Sequence, residues 1–134
     1  MNVIDKNIIK IFENKDEYLM DLTQISYQKN FEKFKEVYGV YLDKALSVAA
    51  QSDNKDATLK EMANDFSLDV QNQFGKKGKI KSTEISDFNL ILIYYIFPYL
   101  LTIDGGIKMA DILKDQWNKV HRCNISYTTY EELS

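Results

Sequence analysis

The chain has 134 residues, a formal net charge of −3 and a single cysteine, Cys123. This length fits one domain with its own hydrophobic core, and a single cysteine excludes an internal disulfide framework. The mild acidity excludes a general electrostatic attraction to nucleic acid or to an anionic membrane. The amino-terminal stretch carries charges and no small-residue cleavage site, so it is not a signal peptide. We therefore expect one cytoplasmic helical domain over residues 1–134.

The first half of the chain shows helical periodicity. Residues 3–12 place their apolar side chains on one helical face. Asn14 followed by Glu17 has the spacing of a capping box, which predicts a second helix from about residue 16. The apolar periodicity fades at residues 28–30 and then resumes, so residues 16–50 form either one long helix or two.

The clearest amphipathic pattern follows a polar connector at residues 51–56. Its apolar residues recur at helical spacing: Leu59, Met62, Ala63, Phe66, Val70 and Phe74. Gly75 is expected to end this helix in the left-handed conformation that a C′ glycine adopts. A loop over residues 75–81 comes next, and Ser82 or Thr83 is expected to cap the helix after it.

The most apolar segment is 88–103, which carries no charge and is interrupted only by Asn89 and Thr102. A helix that is apolar all round must be covered all round, and this one is shorter than the roughly 18 residues that indicate a membrane span. Pro98 removes a backbone donor and clashes with the Tyr94 carbonyl, which predicts a kink. We therefore predict an all-α bundle of five to six helices around a central, Pro98-kinked hydrophobic helix at about residues 83–103.

Asp104-Gly105-Gly106 predicts a turn before the last long helix, at about residues 107–120. That helix is expected to present these residues to the core: Ile107, Ala110, Leu113, Trp117 and Val120. Thr128 or Thr129, with Glu131 or Glu132 three residues on, has the spacing of another capping box. Because the sequence stops within a turn of that signal, we expect either a short terminal turn or the amino-terminal part of a longer protein.

Four lysines lie within the loop that precedes the central helix: Lys76, Lys77, Lys79 and Lys81. Such a loop can contact phosphate or an acidic partner. It lacks the P-loop spacing and the interleaved aromatic residues that stack on single-stranded bases. The chain also has a single arginine, the residue favoured for bidentate recognition of bases. We therefore do not expect a nucleic-acid partner, and a solvated basic loop is the simpler interpretation.

The segment His121-Arg122-Cys123 holds the one potential pair of nucleophile and base. Cysteine chemistry needs a thiolate held against a base, but side chains two residues apart on a helix do not face each other. Pairing between Cys123 and His121 therefore requires a non-helical end. The simpler interpretation is a helix terminus at which cations approach the last carbonyl groups.

Three carboxylates line one helix face at spacings of four residues: Glu61, Asp65 and Asp69. They could share a hard cation, but no further ligand is placed to complete a site. A solvated face is the simpler interpretation. We therefore assign no catalytic residue, no cofactor and no metal, and the balance is against an enzyme.

Three large aromatic residues are candidates for an interface or a pocket: Tyr94, Tyr99 and Trp117. The first functional hypothesis is a non-enzymatic, cytoplasmic protein–protein interaction module whose partner is another protein or a second copy, because a partner would cover the apolar excess. The alternative is a binder of a small apolar ligand or lipid in a pocket at the Pro98 kink. A third hypothesis is an enzyme that uses Cys123 and His121. No membrane partner is expected.

The carboxyl-terminal third contains the following series of short motifs and single residues: Phe97-Pro98, Gly105-Gly106, Ala110-Asp111, Trp117-Asn118, Ile125, Tyr127, Tyr130 and Glu131. Together they resemble a helical family of unknown function from Firmicutes, clostridia especially. The resemblance implies a bacterial protein and an amino-terminal helical domain that continues into a tail. It implies no activity, substrate or cofactor, so it assigns no role to any residue.

Overall fold

The computed structural model describes residues 4–77 and 79–126. Its elements are a 3-10 turn (Lys6–Ile9), α1 (Lys10–Glu13), α2 (Lys15–Leu19), α3 (Gln24–Ala50), α4 (Lys55–Phe74), α5 (Ser82–Ile91), a π-helical turn (Leu92–Ile96), α6 (Phe97–Leu101) and α7 (Gly106–His121). Within these residues there is no strand, and Lys76 and Lys79 form an isolated antiparallel bridge. The predicted all-α bundle is confirmed. The capping box predicted at residues 128–132 lies outside the described residues.

The helix Ser82–Leu101, made of α5, the π turn and α6, lies at the centre of the bundle. The following side chains of this central helix have no solvent exposure: Phe88, Ile91, Leu92, Tyr95, Ile96, Phe97 and Leu100. α2 packs against α5, α7 packs against both α4 and α6, and α3 lies across α4 and α6. The central helix is long and apolar enough to cross a membrane, but half of its most apolar window is buried in the bundle. A buried helix in the core of a globular protein meets the same criteria of length and composition.

The π turn lies where the sequence predicts a distortion by Pro98. Proline cannot donate a hydrogen bond to the carbonyl four residues earlier, which here is that of Tyr94. The Tyr27 hydroxyl from α3 donates to that carbonyl at 2.5 Å, and the Phe97 N–H bonds to Leu92 in the wider π pattern. An unsatisfied buried carbonyl costs about 1–3 kcal/mol. Tyr27 therefore stabilises the central helix at the point where proline weakens it.

The helices of the first half are divided differently from the predicted pattern. The helical conformation is interrupted at residues 20–23, and α3 then continues without interruption through residues 28–30. Asp21 explains the break, because its carboxylate accepts from the Thr23 N–H at 3.0 Å and from the Ser26 hydroxyl at 2.9 Å. These bonds lower the pKa of Asp21, and they offer the backbone an alternative to the helix.

The capping box predicted at Asn14 is wrong. The Asn14 side chain makes no capping bond and instead donates to the Tyr38 hydroxyl at 3.3 Å. The side chain of Glu17 pairs with Lys33 of α3. Both side chains thus connect the amino-terminal turns to α3, because tertiary partners replace the local ones.

Gly75 also departs from its predicted role. Its φ of −88° and ψ of 138° are extended, not left-handed. A Cβ at this position would lie 2.6 Å from the Gln71 carbonyl oxygen and 2.7 Å from the Lys79 carbonyl oxygen. Glycine is therefore needed here because the loop folds back against the end of α4.

Two further predictions of helix limits need correction. Ser82 and Thr83 lie inside α5, whose N-cap residue is Lys81, and the Glu84 carboxylate accepts from the Lys81 N–H at 3.4 Å. In α7 the predicted core residue Ile107 is 54% exposed. The helix begins one residue earlier, at Gly106, which is buried in its place.

Candidate functional site

A group of cavities lies where the loop at residues 75–81 meets the start of α5 and the end of α7. One cavity of about 240 Å³ has Lys79 and Arg122 on its walls, together with Gln71, Ile80, Ile85, Val120 and His121. A larger space of about 530 Å³ shares four of those residues and extends to Ser82 and Asn89. A third, of about 320 Å³, is lined by Lys76, Lys79 and Lys81. We refer to these three spaces together as the cationic cleft.

The basic residues of the loop and of the cationic cleft form no ion pair with a carboxylate in the described structure. Within residues 4–77 and 79–126, no ion pair includes Lys76, Lys77, Lys79, Lys81 or Arg122. Lysines elsewhere do have such partners: Lys15 contacts Asp87 at 2.8 Å, and Lys108 contacts Asp56 at 2.5 Å. Glu84 lines the third cavity. Of the four lysines grouped in the sequence, Lys76, Lys79 and Lys81 line these cavities, whereas Lys77 lines none of the three. Arg122 adds a positive charge from a distant part of the chain.

Arg122 has an unusual backbone conformation. Its φ of 54° and ψ of 45° are left-handed, at a helix end where glycine is the usual residue. Its N–H and that of Cys123 both donate to the Asn118 carbonyl. The Asn118 side chain holds the chain after the helix, because it accepts from the Ile125 N–H at 2.9 Å and donates to the Ile125 carbonyl at 3.0 Å. These bonds fix the direction in which the chain leaves α7.

A polar network supports the floor of the cleft. Trp117 is fully buried, and its indole N–H donates to Asn89 Oδ1 at 2.7 Å. The Asn89 amide group donates to the Cys123 sulfur at 3.6 Å. The thiol in turn donates to the His121 carbonyl at 3.5 Å. Asn89 therefore joins the central helix to the end of α7 through both the oxygen and the nitrogen of its side-chain amide.

His121 lies between this network and the cleft. Its ring is 4.2 Å from that of Trp117, centroid to centroid. His121 Nε2 and the hydroxyl of Ser67 are buried and have no hydrogen-bond partner among the residues that the structure describes. Burial lowers the pKa of His121, and a hydrogen bond with the Ser67 backbone opposes this shift. Burial thus favours the neutral imidazole over its charged form.

The chain is expected to lose stability on mild acidification because of His121. A folded-state pKa below the unfolded value of about 6.5 means that the unfolded chain binds the proton first. The contribution is fully present above about pH 6.5 and falls as the pH drops toward the folded-state pKa. Urea unfolding at a series of pH values measures this slope. His121 is the only histidine, so His121→Gln should flatten the slope, and an unchanged slope would contradict the prediction.

The candidate pair Cys123 and His121 does not form a catalytic dyad in the described structure. The thiol bonds to the backbone carbonyl of His121, and no hydrogen bond joins the thiol to the imidazole among the described residues. The carboxylates Glu61, Asp65 and Asp69 likewise form no candidate metal group there. Burial raises the pKa of Asp65, and the nearby Glu61 and Asp69 act in the same direction.

The three predicted interface residues lie in different surroundings. Trp117 is in the core, with no surface for a partner to contact. Tyr99 is largely buried, donates to Asp43 at 2.9 Å and packs against Gly39, where an added Cβ would lie 2.8 Å from the tyrosine oxygen. Burial raises the pKa of Tyr99 to about 12. Tyr94 is half-buried beside Tyr27.

The predicted ligand pocket at Pro98 has no counterpart among the cavities described above, and Pro98 itself is buried. A mostly apolar cavity of about 200 Å³ lies elsewhere, between α3, α4 and the start of α7, with Leu46, Leu59 and Lys108 on its walls. Ligand pockets usually measure about 300–1,000 Å³. This cavity is therefore smaller than a lipid requires.

Comparison with protein-family models, with curated proteins and with solved structures gives no match. The described residues form an all-α bundle with a cationic cleft between the loop at residues 75–81, the start of α5 and the end of α7. The resemblance of the carboxyl-terminal third to a Firmicutes family remains a prediction. The sequence indicated the lysines of the cleft by their grouping, whereas nothing in the pattern indicated that Arg122 and Asn89 would join them.

Proposed function

We propose that this chain is a non-enzymatic, cytoplasmic interaction module that binds an acidic segment of a protein partner in the cationic cleft. One observation carries the proposal: four basic side chains without carboxylate partners in the described structure line a cleft on a chain whose net charge is −3, namely Lys76, Lys79, Lys81 and Arg122. Opposite charge at a recessed surface favours encounter and orientation of an acidic partner.

The form of the cleft favours a protein segment over a nucleic acid. Ile80, Ile85 and Val120 give it apolar walls, which suit side chains that flank an acidic residue. Nucleic-acid grooves combine basic residues with aromatic side chains for base stacking. Phe74 lines the third cavity, but its ring packs edge-on against the rings of Phe12 and Phe88.

Self-association receives less support from the exposed surface. The large apolar side chains exposed in the described residues are Met20, Ile25, Val37, Val40, Leu68 and Ile107. They belong to several helices and connections, and each is accompanied by exposed polar neighbours. Apolar side chains dispersed in this way are normal on a monomer surface. We therefore favour a different protein as the partner over a second copy.

Site-specific photo-cross-linking tests the proposal. A benzophenone amino acid replaces Lys81, at the edge of the cleft, and in a matched variant it replaces Lys44, an exposed lysine of α3. In extract of the native cells we expect a discrete protein adduct from position 81 only. The adduct should have an acidic segment at the linked site and should weaken with salt, because exposed charges are screened.

A second pair of variants makes the result specific to charge. Lys79→Gln combined with Arg122→Gly removes two cleft cations and should suppress the adduct at position 81. Lys44→Gln removes one cation elsewhere and should leave it unchanged. Equal adducts from positions 81 and 44, or an adduct with nucleic acid alone, would contradict the proposed function.

A further inference from the structure

We infer that the group seated in the cationic cleft is the phosphate monoester of a phosphorylated side chain. The inference deepens the proposed function and rests on it. The anchoring residues are Lys79 and Arg122, which reach the same cavity of about 240 Å³ from different segments of the chain.

The backbone that carries both anchors is held by hydrogen bonds and packing before any ligand binds. Lys79 belongs to a tight turn, in which its N–H donates to the Lys76 carbonyl at 3.1 Å. Gly75 presses this turn against the end of α4. On the other side, Asn118 fixes the exit from α7 that carries Arg122. A preformed site loses less conformational entropy when it binds.

The residues with a left-handed backbone conformation support the same inference. The non-glycine residues with positive φ in the described structure are Lys77 and Arg122, and both are basic residues of the loop or the cleft. A side chain in this conformation is less stable than glycine. Glycine would satisfy the end of α7 equally well, so the backbone gives no reason for an arginine there. An unfavourable conformation of this kind is a reason to look for a function of the side chain.

The chemistry of the two anchors fits a phosphate better than a carboxylate. A phosphate monoester carries a charge of about −1.5 to −2 at neutral pH and three acceptor oxygens. Arginine presents a planar fork of donors that matches such oxygens, and lysine supplies a point charge. A carboxylate would leave one of the two cations uncompensated. Ile80, Ile85 and Val120 form apolar walls beside the two anchors, and charges near a protein surface attract each other more strongly than in bulk water.

Binding of four defined probes tests the inference. They are a short peptide containing phosphoserine, the same peptide with glutamate at that position, the same peptide with serine, and inorganic phosphate. Amide chemical shifts of Lys79, Ile80 and Arg122 report the location. Fluorescence of the single tryptophan, whose ring contacts that of His121, gives a second signal. We expect the phosphoserine peptide to bind at least about tenfold more tightly than the glutamate peptide. Inorganic phosphate should compete weakly at the same amides.

Variants separate recognition from folding. Lys79→Gln and Arg122→Gly should each weaken binding of the phosphoserine peptide by about tenfold, the loss of one charge-assisted contact. Lys44→Gln should have no effect. Arg122→Gly relieves the left-handed conformation, so its melting temperature should equal or exceed that of the unaltered chain. When the melting temperature is unchanged or higher, weaker binding by this variant cannot result from unfolding.

Each contrary outcome has a distinct meaning. If the glutamate and phosphoserine peptides bind equally, the cleft recognises negative charge alone. The phosphate inference is then overturned and the proposed function stands. If inorganic phosphate binds as tightly as the phosphoserine peptide, the ligand is a free phosphate, which overturns the phosphorylated partner. If no probe shifts the cleft amides and position 81 yields no protein adduct, both the inference and the proposed function fail.

Discussion

Gly106→Ala is expected to lower the free energy of unfolding by about 3 kcal/mol, near the upper limit for overpacking at one site. A Cβ on Gly106 would overlap the Leu100 carbonyl oxygen and lie 2.7 Å from the carbonyl carbon. These atoms belong to the backbone at the end of the central helix, so no side-chain rotation can relieve the overlap. Urea denaturation monitored by circular dichroism measures the loss.

Gly105→Ala is the matched control in the same turn. Gly105 has a φ of 78°, but an added Cβ there has no neighbour within 4 Å. Its cost is conformational, about 1 kcal/mol. The two glycines thus separate a backbone preference from a lack of space. If Gly106→Ala is no more destabilising than Gly105→Ala, the α6–α7 turn can move apart and the steric argument is wrong.

Trp117→Ala is expected to lower the free energy of unfolding by about 4 kcal/mol. The indole has no solvent exposure and is surrounded by the rings of Phe12, Phe66 and His121. Its removal leaves a cavity between α4 and α7 and deprives Asn89 of its donor. Thermal and urea unfolding both measure the effect.

The same substitution distinguishes the core role of Trp117 from the interface role that the sequence suggested. An exposed anchor can usually be truncated with a change in stability within about 0.5 kcal/mol, while partner binding is lost. Trp117→Phe retains most of the packing and removes the bond to Asn89, so it should cost about 1–2 kcal/mol. A Trp117→Ala variant as stable as the unaltered chain would contradict the placement of this residue in the core.

The periodicity of apolar residues in the sequence was sufficient to predict α4 and the central helix. Both carry long apolar patterns, and the side chains that satisfy those patterns, such as Phe66 and Phe88, are buried as expected. The break at residues 20–23 could not be read in the same way. It depends on hydrogen bonds from Thr23 and Ser26 to Asp21, and the same residue types also occur within helices.

The cationic cleft was only half predictable. Grouped lysines are visible in any sequence, but the cavity needs Gln71, Lys79 and Arg122, which come from three separate segments. The conformation of Arg122 depends on where α7 ends. Trp117 was misplaced for a related reason, since large aromatic residues dominate both cores and interfaces, and composition alone does not separate the two.

The π turn at Leu92–Ile96 has a consequence for the helical phase of the central helix. Its hydrogen bond spans five residues instead of four, so it accommodates about one additional residue. Residues after it are therefore rotated by about 100° relative to an uninterrupted α-helix. Phe88 before the turn, Leu92 at its start and Leu100 after it therefore lie on one face of the helix, and all three are buried. Removing one residue from this turn would restore a regular helix and direct the segment that follows toward different neighbours.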